Sequence, residues 1–83
     1  MTDNEIFEQV KGAIEATLKA DGKEIALESR LVDDLGGDSL DMLELMMALE
    51  ERFNIEVPDE DAESVNTVRD VVNYVKRRLA EES

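Results

Sequence analysis

The sequence predicts an all-α fold: a four-helix bundle of three main helices and one short helix, with a long loop between the first and second. Three observations carry this. Apolar residues recur at three- and four-residue spacing in three separate segments. Capping and breaking residues bound those segments. A chain of 83 residues has room for one core, so residues 1–83 form a single domain.

The first helix carries Ile6, Phe7, Val10, Ile14, Thr17 and Leu18 at helical spacing. Thr2 and Glu5 have the separation of a capping box, and Asp21-Gly22 stops the helix. Residues 21–37 lack clear periodicity, and unstructured connections beyond about 12–15 residues are uncommon unless functional. This one carries Ile25, Leu27, Leu31, Val32 and Leu35, so it is expected to pack across the bundle, and it ends at Gly36-Gly37. A second helix runs from about Asp38 to Phe53, and Pro58 forbids extension beyond Val57. The acidic run Asp59 to Glu63 suits one short helix with proline at its start. Thr67 and Asp70 are placed to cap a last helix with Val68, Val71, Val72, Val75 and Leu79 on one face. Its valines would also suit a strand, but their spacing favours helix. Lys76, Arg77 and Arg78 then fall at its C-terminal end, where cations complement the macrodipole.

Charge and composition exclude several functions. There are 22 acidic and 9 basic residues, a net charge of -13. Nucleic acid and anionic membrane surfaces would be repelled, whereas basic protein surfaces would be drawn in. The chain has no cysteine and no histidine, so disulfides, thiolate metal sites and imidazole catalysis are all absent. The acids do not follow the spacing of a calcium loop, and no metal site is expected. No apolar run approaches the roughly 20 residues that span a bilayer. Nothing resembles a signal peptide, so the expectation is a cytoplasmic monomer with no stable membrane insertion.

The second helix has two apolar faces. At about 100° per residue, Met42, Leu45, Met46, Leu49 and Phe53 gather on one side as a core stripe. Leu40, Leu43 and Met47 fall nearly opposite, beside Glu44 and Glu51. Either a neighbouring helix or the long loop covers this strip, or a partner with an apolar centre and a basic rim docks on it. The charge distribution fits docking, since Asp33 to Glu63 holds twelve acids and one base, Arg52.

Ser39, in DDLGGDSLDMLE (residues 33–44), has three readings. As a nucleophile it lacks a histidine base, a Ser-x-x-Lys partner and the G-x-S-x-G elbow, and neighbouring carboxylates would raise its pKa. As a structural residue, Asp38 or Ser39 is a good N-cap. As an acceptor for a covalent group, it follows Gly36 and Gly37, which leave room for another enzyme to approach. A phosphodiester there would lie at a helix N-terminus, where negative charge is favoured.

The segment LGGDSLDMLELMMALEERFNIEVPDEDAE (residues 35–63) closely resembles the acyl carrier proteins of type II fatty acid synthesis. The likeness extends to the first-helix pattern, the LVDDLG approach and the TVRDVVNYV segment near the C-terminus. The resemblance implies a non-catalytic carrier. Its Ser39 receives 4′-phosphopantetheine from coenzyme A through a phosphopantetheinyl transferase (holo-acyl carrier protein synthase), and the arm's thiol carries growing acyl chains. It also implies partner docking through Asp38, Leu40, Asp41, Leu43, Glu44, Met47, Glu50 and Glu51, with Asp59 and Glu63 adding charge. The partners would be basic-faced fatty acid synthesis enzymes and acyltransferases. Acyl chains would lie near Leu31, Val32, Leu49, Val57, Ala62, Val65 and Val71. Some residues depart from the pattern. Gly37 stands where alanine is common, LGGDSL is similar to the LGG-x-SL of peptidyl and aminoacyl carriers, and Met42-Leu43 replaces the more usual Thr-Val. A carrier for polyketide, lipid A or aminoacyl cargo is the alternative, and an acidic interaction subunit without a prosthetic group is a third reading.

Overall fold

The computed structural model describes residues 2–18 and 24–82 and is a helical bundle, with no β-strand among the described residues. Its helices are α1 (Asp3–Thr17), α2 (Ser39–Phe53), α3 (Asp59–Ala62) and α4 (Val68–Glu82). α1 packs on both α2 and α4, and α3 packs on α2.

Each main helix begins on a reciprocal cap, which satisfies N–H groups that have no partner within the helix. At α1 the Glu5 N–H donates to Thr2 Oγ1 at 3.2 Å, and the Thr2 N–H donates to Glu5 Oε1 at 2.9 Å. α1 then buries Ile6, Val10, Ala13 and Ile14, and Leu18 follows as its buried C-cap. The expected stop at Asp21-Gly22 lies outside the described residues. α2 ends at Asn54 in the left-handed region (φ 55°), and Pro58 caps the single turn of α3.

The long loop packs across the bundle. Ile25, Leu31 and Leu35 are buried and Leu27 is partly buried, but Val32 stays 52% exposed and takes no part in that packing. The loop is laced to the start of α4 by an isolated bridge between Arg30 and Thr67. The Leu31 N–H donates to Asn66 O at 2.9 Å, Val68 N–H to Ser29 O at 3.0 Å and Arg69 N–H to Leu27 O at 2.8 Å. Loop carbonyls thus receive the first free donors of α4. The next is closed by the cap expected from sequence, with Asp70 N–H on Thr67 Oγ1 at 3.2 Å and Thr67 N–H on Asp70 Oδ2 at 3.1 Å.

At the far end α4 differs from expectation. It continues to Glu82, so Lys76, Arg77 and Arg78 lie before its last turn, which holds no base. Leu79, packed against the core, carries the helix onward. The three cations are used laterally. Lys76 Nζ lies 3.1 Å from Asp3 Oδ2, Arg78 Nη1 lies 3.2 Å from Glu81 Oε2, and the Arg77 guanidinium sits 5.3 Å from the Tyr74 ring centroid.

The Asp70 carboxylate also accepts the Asn66 N–H, at 3.0 Å, and the Thr67 and Asn66 N–H groups hold its pKa below the ordinary 3.8. A lowered folded-state pKa adds stability above the unfolded value and loses it as pH falls through the folded one. Asp70→Asn keeps an acceptor oxygen and loses the charge, so it should cost about 0.5 kcal/mol near neutral pH. The gap between the two chains should close below about pH 4. Urea unfolding between pH 7 and 2 measures it; a gap independent of pH would contradict this account.

Candidate functional site

Asp38, not Ser39, caps α2. Its extended backbone (φ −111°, ψ −174°) lets Oδ1 accept the Asp41 N–H at 2.9 Å, while Asp41 Oδ2 accepts the Asp38 N–H at 3.2 Å. Ser39 is the first helical residue and is exposed, and its hydroxyl joins no hydrogen bond among the described residues. The capping role is filled, so the serine oxygen is left over.

The glycines before it act differently from expectation. Gly36 takes the left-handed region (φ 76°) that lets the chain turn into α2. Gly37 is buried and gives no open approach: its N–H donates to Leu31 O at 3.0 Å. A Cβ there would lie 2.8 Å from Leu18 Cδ2 and 3.1 Å from Leu31 O. Gly37 presses the loop against α1, and Ser39 owes its access to its position on the helix.

Ser39 opens onto a cleft of about 390 Å³ lined by Val32, Met42, Leu43, Ala62 and Val65, with Asp59 and Glu63 at the edge. Val32 and Val65 flank the Leu31–Asn66 hydrogen bond, so the backbone lacing holds these two lining residues together. Of the residues expected to line a cargo cavity, Val32, Ala62 and Val65 are at this cleft. Leu31, Leu49, Val57 and Val71 are buried in the core and do not line it. Met42 and Leu43 line the cleft in addition; the sequence signal for both is that Met42-Leu43 stands where the resemblance leads one to expect Thr-Val. Tyr74 packs nearby, donating its hydroxyl to Asp61 Oδ2 at 2.7 Å, and burial together with that carboxylate pushes its pKa up to about 12.

Beside the serine runs the second face of α2. Leu45, Met46, Leu49 and Phe53 are buried, while Leu40, Leu43 and Met47 are 64%, 48% and 58% exposed. Among the described residues neither a helix nor the loop covers the strip. Asp38, Glu44, Glu51, Asp59 and Glu63 are exposed around it. Asp41 and Glu50 are half-buried and already employed, Asp41 in the cap and Glu50 accepting the Val57 N–H at 3.3 Å. Arg52, the one base of the segment, donates to Gln9 Oε1 at 3.1 Å on α1. Arg30 lies at the loop, where its guanidinium beside Asp34 holds that carboxylate below its ordinary range.

Chemically, the arrangement offers an oxygen for modification and an apolar recess next to it. The residues present fit a flexible thiol-bearing arm with an acyl cargo: a free hydroxyl to hold it, and an apolar cleft beside that hydroxyl to take the chain. Among the described residues no cluster of three acids suits a metal ion, and no helix is long and apolar enough to cross a membrane.

The likenesses of this bundle are to carrier modules. Residues 8–75 match the family model described as phosphopantetheine attachment site. The chain is 57% identical over 76 residues to an acyl carrier protein of Clostridium acetobutylicum, covering 92% of this chain and 99% of that one. It is 53% identical over 70 residues to one from Helicobacter hepaticus, covering 84% and 92%. It is 52% identical over 71 residues to one from Wolinella succinogenes, covering 86% and 93%. The chain belongs to the acyl carrier protein family. Its role is to carry acyl groups on 4′-phosphopantetheine.

Because Asp38 caps and Ser39 does not, their alanine variants should separate. Asp38→Ala is expected to lose about 1 kcal/mol. Ser39→Ala should stay within about 0.5 kcal/mol of the natural chain. Chemical denaturation of both measures this; equal losses would mean that the serine hydroxyl supports the helix.

Proposed function

We propose that Ser39 is the attachment residue, that a phosphopantetheinyl transferase modifies it from coenzyme A, and that the loaded protein delivers fatty acyl chains to fatty acid synthesis enzymes in the cytoplasm. The observation that carries this is the unused Ser39 hydroxyl between an apolar cleft and an exposed, acid-rimmed apolar strip.

Ser39 Oγ bonds to the phosphorus of the incoming arm, adenosine 3′,5′-bisphosphate leaves, and the serine proton passes to a base of the transferase. The first turn of α2, which bears Ser39, would favour the negative charge of a phosphodiester on that serine. Asp38 and Asp41 share that region, and their repulsion directs the group outward. When bound, the group supplies a thiol that holds acyl chains as thioesters. Val32, Met42, Leu43, Ala62 and Val65 shield a hydrocarbon chain from water at the cleft. That largely apolar lining supports a fatty acyl cargo, whose hydrocarbon chain gains by leaving water.

Docking uses Leu40, Leu43 and Met47 as the apolar centre. Asp38, Glu44, Glu51, Asp59 and Glu63 form a rim that draws basic-faced partners in and orients them. Asp41 and Glu50 contribute charge from beneath this face.

Incubation with coenzyme A and a phosphopantetheinyl transferase should raise the intact mass by one phosphopantetheine, and Ser39→Ala should remain unmodified. An unchanged mass for the natural chain would sink the assignment. Replacing Glu44 and Glu51 together by lysine should slow association with the transferase about tenfold at low salt. The difference should shrink as salt rises. Stopped-flow rates across a salt series decide this, and identical rates would remove the rim from recognition.

A further inference from the structure

α3 is one turn of four residues, too short to hold its shape alone. Asp59, Ala62 and Glu63 line the Ser39 cleft, spaced so that they share a face of that turn. Asp61 lies on another side and accepts the Tyr74 hydroxyl at 2.7 Å, a bond that joins α3 to α4. The same hydroxyl lies 3.5 Å from Glu56 O, on the chain leading into α3. The Tyr74 ring is itself buried, with Arg77 stacked on it, so the hydroxyl is held from a fixed base. Against this, α3 buries a single residue, Ala62. One methyl group is little apolar area to restrain a helix, so the polar link weighs heavily in where α3 sits.

We propose that the Tyr74–Asp61 pair is a specificity-determining strut: by holding α3 as a fixed wall of the cleft, it sets how long an acyl chain the cleft takes in. This rests on Ser39 being the residue that bears the acyl arm. Tyr74 and Asp61 are positioning residues, since neither lines the cleft; they act through Ala62 and Glu63. A bulkier or longer chain needs the wall to move, and the strut opposes that movement.

The test compares the natural chain with Tyr74→Phe, which removes only the hydroxyl, and Asp61→Asn, whose amide oxygen still accepts. The first readout is amide hydrogen exchange of the unmodified proteins. In Tyr74→Phe the amides of Ala62, Glu63 and Ser64, bonded at 3.1, 3.2 and 3.1 Å within and after α3, should exchange about tenfold faster. Those of Val10 and Val75 should not change, and Asp61→Asn should behave like the natural chain. The second readout attaches phosphopantetheine arms bearing saturated acyl groups of increasing length to Ser39 and follows thioester cleavage by hydroxylamine. Protection should grow with length to a limit in the natural chain and in Asp61→Asn. That limit should move to longer chains in Tyr74→Phe. Unchanged exchange at α3 overturns the strut, as does faster exchange spread equally over Val10 and Val75, and so does faster local exchange with an unmoved length limit. A chain whose mass shows no loading at all instead refutes the assignment of Ser39, on which the length limit depends.

Discussion

The seam between the long loop and the start of α4 is the constraint on which the molecule's functional end depends. Carbonyls of Leu27 and Ser29 take up N–H groups that the first turn of α4 cannot satisfy, and the Leu31 N–H returns the link to Asn66. Satisfying buried backbone groups is obligatory, so the loop's path is set by the helix it closes. Once residues 27–31 are held there, Leu31 and Leu35 reach the core and Gly37 is pressed against Leu18. The chain is then delivered to Asp38 in the geometry that starts α2. The same seam sets Val32 beside Val65. Loop, cap and cleft are consequences of one short run of backbone hydrogen bonds.

The acidic residues of the functional end divide by what they already hold. Asp38 and Asp41 close a helix start, Glu50 holds the approach to α3, and Asp61 anchors α3 to Tyr74. Glu44, Glu51, Asp59 and Glu63 stand exposed. Like charges crowded on one side of a small domain oppose folding. The exposed ones sit around an apolar strip that no described residue covers. α2 is shaped by two demands at once: Leu45 and Leu49 face inward, while Leu43 and Met47 face outward on the same helix.

Much of this was legible in the residues. The helical spacing, the Thr2–Glu5 and Thr67–Asp70 caps and the two faces of α2 are local patterns, and local patterns survive into the fold when packing agrees with them. What escaped is non-local. Nothing in the periodicity says that residues 27–31 pair with 66–69, because that bridge joins segments far apart in sequence. Whether Asp38 or Ser39 caps α2 turns on the backbone angles of one residue. The cationic run at 76–78 reads as a helix end until Leu79 finds the core and extends α4 by a turn. Of the apolar residues tied to a cargo cavity by resemblance, Leu31, Leu49, Val57 and Val71 are interior and Val32, Ala62 and Val65 line the open cleft, a division that a pattern of apolar positions does not make.

The division of labour between Asp38 and Ser39 also separates shape from modification. The aspartate completes the helix start without help from its neighbour. A group added at the Ser39 oxygen would break none of the bonds of that cap. A serine that had also been the cap would have tied any such addition to the integrity of the helix.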